Sequence, residues 1–226
     1  MDRLAAFGPN IWIADGPVVK GAGFSFPTRM IVVKLADGSV WINSPVEATR
    51  EQMQSLSVLG PVKYLVAPSP LHVWRLEAWS ECFPQAQLWC PPRMRRANPS
   101  MHVLGDEPPT GWSAELDQMI FRGSAILDEV YFLHRESRTL IFCDFIQQYA
   151  PRNPVLNALA TIAGVRSGGT PPDIRMSFAF GKAQGRESLR RLLSWDFDKV
   201  ILAHGDCVTQ EGKAYVQRAF RWLAPG

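Results

Sequence analysis

Four histidines are present, at positions 72, 102, 134 and 204. His134 ends the apolar run Val130-Tyr131-Phe132-Leu133, and His204 follows Val200-Ile201-Leu202-Ala203. His72 lies five residues beyond Tyr64-Leu65-Val66-Ala67, and Asp144 directly follows Leu140-Ile141-Phe142-Cys143. Polar groups at the strand ends of a layered fold face a rim where loops meet and sites are built. Three imidazoles and a carboxylate are ligand types suited to zinc or iron. The same side chains also read as a metal-free polar cluster, because buried imidazole and carboxylate groups must find hydrogen-bond partners.

Period and punctuation outline the elements that would carry these groups. Ile11 to Ile13 reads as a strand, and Met30 to Leu35 and Ser39 to Asn43 as a hairpin turned by Ala36-Asp37-Gly38. Ser44-Pro45-Val46-Glu47 has the form of a capping box opening a helix that runs to about Val58. Val62 to Ala67 is apolar enough for a strand covered on both faces, and Ser69-Pro70 predicts a second helix from Leu71 to about Phe83. Strands follow at Gln87 to Cys90, Asp117 to Arg122, Glu129 to Leu133 and Thr139 to Cys143, the last two joined by the turn Arg135 to Arg138. Helices are expected over Asn153 to Ala163, Arg186 to Trp195 and Thr209 to Leu223, with a buried strand at Lys199 to Ala203. Gly164 to Pro172 reads as a flexible connection near the rim, a place for a lid, within a mobile segment 145–176. The alternation is that of helices on a sheet, an α/β arrangement, in one domain spanning 1–226.

Composition narrows the function classes. With 226 residues, 46% hydrophobic and 20% charged, the chain falls among globular proteins able to bury one sizeable core. Twenty-four Lys and Arg against 21 Asp and Glu leave a net charge of +3, which asks for no nucleic acid. The cluster Arg93, Arg95 and Arg96 beside Trp89 therefore reads as a solvated surface. The apolar segment Val155 to Val165 is far short of a membrane span of about 20 residues. The four cysteines form no C-x-x-C pair, and Met1 to Gly8 has no secretory pattern, so a reduced, cytoplasmic setting is expected. The expected partner is a small-molecule substrate.

The stretch from Leu133-His134, through the turn and the strand to Cys143-Asp144, resembles the middle of the metallo-β-lactamase superfamily. Ile201-Leu202-Ala203-His204-Gly205 resembles its final strand-His-Gly element, and Ser44 stands where the family usually has an aspartate before a helix. Tyr64-Leu65-Val66-Ala67-Pro68-Ser69-Pro70-Leu71-His72 is similar to a branch known only as a domain of unknown function. The resemblance implies a four-layer αββα sandwich. The superfamily's H-x-H-x-D-H signature is reduced here to Ser69-Pro70-Leu71-His72-Val73-Trp74, so two complete metal sites cannot be assembled. Trp74 and Trp79 are expected to cover the place of the missing ligands.

What the resemblance implies is at most one ion (zinc, or iron or manganese) held by His72, His134, Asp144 and His204. Asp144 would be either a ligand or the catalytic carboxylate orienting a water, and Asp206 and Cys207, just past His204, could replace a missing ligand. The activity implied is metal-dependent hydrolysis of an undetermined substrate. The alternative is a metal-free binding protein that keeps the fold and has lost the chemistry.

Overall fold

The computed structural model describes residues 4–21, 24–149 and 153–224. One sheet is ordered β1 (Ala5–Gly8), β2 (Ile11–Gly21), β3 (Phe24–Lys34), β4 (Val40–Asn43), β5 (Val62–Val66), β6 (Gln87–Cys90) and β7 (His102–Val103). The other is ordered β11 (Lys199–Leu202), β10 (Thr139–Phe142), β9 (Glu129–His134) and β8 (Leu116–Phe121). Strands β1 to β4 pair antiparallel and β4 to β7 parallel, while β10 runs parallel to β11 and antiparallel to β9.

Each central strand is apolar on both sides, and the period of two splits its residues between two cores. From the first sheet Ile31, Val33, Trp41, Tyr64 and Val66 point inward, meeting Leu116, Ile120, Val130, Phe132, Ile141 and Ile201 of the second. Their neighbours Met30, Val32, Ile42 and Leu65 point outward, under Leu56 of α1 (Arg50–Leu59) and Leu76 and Trp79 of α2 (Leu76–Cys82). On the far side Tyr131, Leu133, Leu140, Phe142, Val200 and Leu202 pack against a second helical layer. That layer takes in α4 (Pro172–Ser177), α5 (Lys182–Ser194) and α6 (Gly212–Ala219), with α3 (Pro154–Ala163) preceding them. The result is the αββα sandwich, four layers deep.

Two local expectations are corrected. The capping box at Ser44 to Glu47 does not form, and α1 starts five residues later, with Thr49 and Gln52 forming the box instead. Ser44 leaves β4 with φ +53, and Pro45 and Val46 are buried as the chain passes beside the later site. Val46 offers its carbonyl to Trp79 Nε1 at 2.8 Å, which holds this stretch in an irregular path. The predicted helix Leu71 to Phe83 is broken in two. A single 3-10 turn, Pro70–His72, is capped by Ser69 Oγ, and α2 begins at Leu76. His72 therefore ends a short turn and does not lie within a long helix.

Residues 150–152 of the segment expected to be mobile lie outside the described residues. After α3, the glycine-rich stretch turns back and pairs with the chain after β10. Gln147 and Gly169 exchange both backbone hydrogen bonds, at 3.0 and 3.1 Å.

Trp41 lies at the centre of the inter-sheet core, fully buried, with ring contacts to Phe132 at 5.0 Å and Trp112 at 6.3 Å. Trp41→Ala is expected to lower the unfolding free energy by about 3–5 kcal/mol in urea denaturation. A loss below about 1 kcal/mol would mean that the two sheets do not meet across this ring.

Candidate metal centre

Strand direction decides which side chains can meet. The carboxyl ends of β5, β10 and β11 lie on one rim, and the segments leaving them carry His72, Asp144 and His204. Their ligand atoms form a small triangle. His72 Nε2 and His204 Nε2 are 3.3 Å apart, and Asp144 Oδ1 lies 3.5 Å from the first and 3.3 Å from the second. Among the described residues this is the group able to hold an ion. It borders a cavity of ≈730 Å³ whose walls include Phe26, Pro45, Val46, Leu71 and Trp74.

His204 and Asp144 are held from behind. His204 Nδ1 lies 2.7 Å from the Pro27 carbonyl, so Nδ1–H donates there and the neutral ring keeps a bare lone pair on Nε2. The loop carrying His204 is clamped by Arg29. Its Nη1 donates to the carbonyls of Leu202 and Gly205 at 2.8 and 2.6 Å, while Nε pairs with Asp15 at 2.8 Å. Asp144 is 2% exposed, and its Oδ2 accepts a hydrogen bond from the fully buried Ser69 hydroxyl. That leaves Oδ1 facing the imidazoles.

Glu129, at the start of β9, fixes the backbone that presents Asp144. Its carboxylate accepts from the amides of Cys143, Asp144 and Phe145 at 2.8, 3.0 and 2.8 Å. Burial pushes the Glu129 carboxyl well above its ordinary range, with the Asp144 charge adding to the rise against those three amides. Burial would raise Asp144 as well, but the charges and hydrogen bonds of His72 and His204 outweigh it and hold the carboxyl well below its ordinary value. For His204 burial works downward, and the Asp144 hydrogen bond and charge, with Pro27, carry the net shift upward.

The structure does not bring His134 to this group. Beta strands β9 and β10 are antiparallel and joined by a tight turn, so His134 pairs with Thr139, the first residue of β10. The end of β9 and the end of β10 therefore lie on opposite rims, and the β9 residue beside Asp144 is its first, Glu129. His134 is fully buried, with Nδ1 2.7 Å from Ser137 Oγ and Nε2 without a partner among the described residues. Convergence of His134 with Asp144 and His204 thus fails on topology, although the fold it was read with is present. Cys207 turns its sulfur to Arg29 at 3.2 Å, and Asp206 meets Gln148, so neither joins the triangle. Cys143 is buried as expected, and Trp74 lines the cavity, whereas Trp79 belongs to the core under α2.

Ser69, Glu129 and Arg29 are functional neighbours that sequence reasoning passed over. A glutamate opening an otherwise apolar, fully buried strand was the available signal for Glu129. Sequence alone shows Ser69 only as a helix cap; it does cap the 3-10 turn, and it also donates to Asp144.

Solved structures with the same fold cover nearly the whole chain at low identity. A metallo-β-lactamase from Hirschia baltica is 11% identical with a TM-score of 0.66, over 99% of this chain and 98% of that one. A fragment of a putative diflavin flavoprotein from Nostoc is 12% identical with a TM-score of 0.69, over 97% and 95%. Rubredoxin oxygen:oxidoreductase from the anaerobe Desulfovibrio gigas is 12% identical with a TM-score of 0.70, over 97% of this chain. The chain spans 61% of the length of that last protein. Likeness at these identities shows the metallo-β-lactamase fold and leaves chemistry to the site itself. A search of curated proteins finds no match to the sequence. Residues 11–173 match the model of a family described as a domain of unknown function, DUF4336. His72 and Asp144 fall inside that match and His204 beyond it.

Two outcomes follow from this geometry. Burial lowers the pKa of His134 from its ordinary 6.5, so below that value the unfolded chain takes up a proton that the folded chain resists. This contribution to stability is complete above about pH 6.5 and is lost as the pH falls below it. His134→Asn is therefore expected to flatten the drop in Tm between pH 7.5 and 5.5 relative to wild type; an unchanged slope would contradict the buried neutral ring. Glu129→Gln places an amide N–H against a backbone N–H. It should cost about 1–3 kcal/mol in denaturation and weaken zinc binding about 10- to 100-fold by calorimetry. Unaltered zinc affinity in a folded E129Q would remove Glu129 from the site.

Proposed function

The chain belongs to the DUF4336 family on the metallo-β-lactamase fold, and we propose that it is a metal-dependent hydrolase holding one ion through His72, Asp144 and His204. The observation that carries the reading is the triangle itself. Three donor atoms 2.0–2.1 Å from a tetrahedral zinc would stand about 3.3–3.4 Å apart. The three edges here are 3.3, 3.3 and 3.5 Å. Two imidazole nitrogens at 3.3 Å repel unless a proton or a cation lies between them, and the Pro27 carbonyl already takes the Nδ1 proton of His204. The donor set therefore fits a zinc-like ion, with iron or manganese admitted by the same ligand types.

A bound ion supplies there a water of near-neutral pKa and a Lewis acid for a carbonyl or phosphoryl oxygen. The chain's own residues do the rest. Pro27 and Arg29 orient His204, while Ser69 and Glu129 fix Asp144 so that Oδ1 alone faces inward. Asp144 is the one carboxylate lining the cavity among the described residues; with Oδ2 taken by Ser69, its Oδ1 would hold the ion or orient a water bound there. Apolar walls at Phe26, Val46, Leu71 and Trp74 exclude water and suit a substrate with an apolar body, and Thr28 and Gln147 bring polar groups to the same cavity. One domain, residues 1–226, forms the catalytic unit in this reading. Among the described residues no helix is long and apolar enough to cross a membrane.

A second reading rests on the opposed shifts of His204 and Asp144, which make a proton-bridged imidazole–carboxylate cluster self-sufficient. In that case the protein is a metal-free binder. Elemental analysis after loading with zinc, iron and manganese separates the two. The hydrolase reading expects about one ion per chain, lost in His72→Ala and in His204→Ala and retained in His134→Asn. It also expects hydrolysis of activated ester or phosphate substrates that chelator abolishes and metal restores. Uptake below about 0.1 ion per chain would overturn it in favour of the binder.

A further inference from the structure

A second concavity, of ≈260 Å³, opens between the end of α3, the 164–169 turn and α6. Four arginines line it: Arg166, Arg175, Arg218 and Arg221. Among the described residues no carboxylate lines it, so it gathers four arginine charges in a chain whose net charge is +3. Clustered like charges without a counterion are unfavourable, and such a basin concentrates anions.

The arrangement is built. Arg175 is anchored by its own backbone contacts, Nε donating to the Thr170 carbonyl at 2.6 Å and Nη2 to the Ala163 carbonyl at 2.7 Å. Its Nη1 has no partner among the described residues. Burial, with the neighbouring charge of Arg221 adding, lowers its pKa. Arg166 is steadied by Asn157 at 2.9 Å, and the Arg218 guanidinium lies 5.3 Å from the centre of the Tyr215 ring. The turn closes onto α6 only because residue 168 is glycine. It sits at φ +86, and a Cβ there would lie 2.0 Å from the Tyr215 hydroxyl. This close approach brings the arginine of the turn beside those of α6 and the chain after it.

We propose that this concavity binds a phosphate-bearing small molecule, its phosphoryl oxygens taken by the guanidinium groups of Arg166, Arg175, Arg218 and Arg221. Planar guanidinium forks match phosphate oxygens in pairs, and several forks around one concavity suit a compact dianion better than a chloride. The volume holds a phosphoryl group with a small body and does not admit a nucleic-acid strand along its length. The site is separate from the metal centre; the Gln147–Gly169 backbone pair connects their walls, Gln147 lining one cavity and Gly169 the other.

Calorimetric titration of the full chain with inorganic phosphate and pyrophosphate, against sodium chloride of matched ionic strength, tests it. Saturable binding of pyrophosphate is expected, weakened at least tenfold in Arg218→Gln/Arg221→Gln and in the single variant Arg166→Gln. His72→Ala should bind as wild type does, so that failure of the metal reading and failure of this one remain distinct. No heat beyond matched chloride, equal binding by the arginine variants, loss in His72→Ala, or binding of an oligonucleotide but not of pyrophosphate would each overturn the proposal.

Discussion

Asp144 is a carboxylate taken almost wholly out of water at the carboxyl end of β10. Burying a charge in this way is tolerated only where partners replace the lost hydration. Those partners organise the rest of the site. Ser69 saturates one oxygen, two imidazoles face the other, and Glu129 holds the backbone on either side by three amide hydrogen bonds. Glu129 is itself buried, so two carboxylates share one low-dielectric pocket. Their affinities for protons are driven apart, Glu129 upward and Asp144 downward. The separation leaves Asp144 as the group that carries negative charge toward the imidazoles.

The two sheets contribute unequally to this arrangement. The second sheet supplies Asp144, Glu129 and His204 within a few hydrogen-bonded strands. The first supplies His72 and, through the long β2–β3 hairpin, the Pro27 carbonyl and the Arg29 clamp. The triangle thus straddles the sandwich, and its dimensions depend on the inter-sheet core around Trp41 and Phe132 staying packed. This links the aromatic content of the chain to its chemistry: large rings at the sheet interface set the spacing at which imidazoles from opposite layers meet.

Much of the scaffold was legible before any coordinates. Alternation of fully apolar strands with helices indicated layered α/β packing, and the hairpin at Asp37-Gly38 is formed, with Gly38 at φ +81. The helix start at Ser44 was misread because a Ser-Pro-x-Glu pattern is satisfied equally by an irregular segment whose carbonyls bond elsewhere, as that of Val46 does. The break between Pro70–His72 and α2 escaped notice because turn length depends on where neighbouring elements leave room. Residue type and position single out His72, His134, Asp144 and His204 alike, and only three of the four come together; Ser69 and Glu129 look ordinary until their partners are known.

The sequence by itself determined the alternation of apolar faces, hence two sheets between helices, and it placed an imidazole or a carboxylate just past β5, β10 and β11. Only the tertiary structure decided which of those groups share a rim. A strand end has no side of its own until its direction relative to its neighbours is set. The antiparallel pairing of β9 with β10 sends His134 to the far edge and puts Glu129 beside Asp144. The tight turn Arg135 to Arg138 already encodes that reversal; the pairing of β10 with β11 and the packing of the two sheets, which bring His204 and His72 to Asp144, join residues far apart in the chain, and no local pattern encodes them.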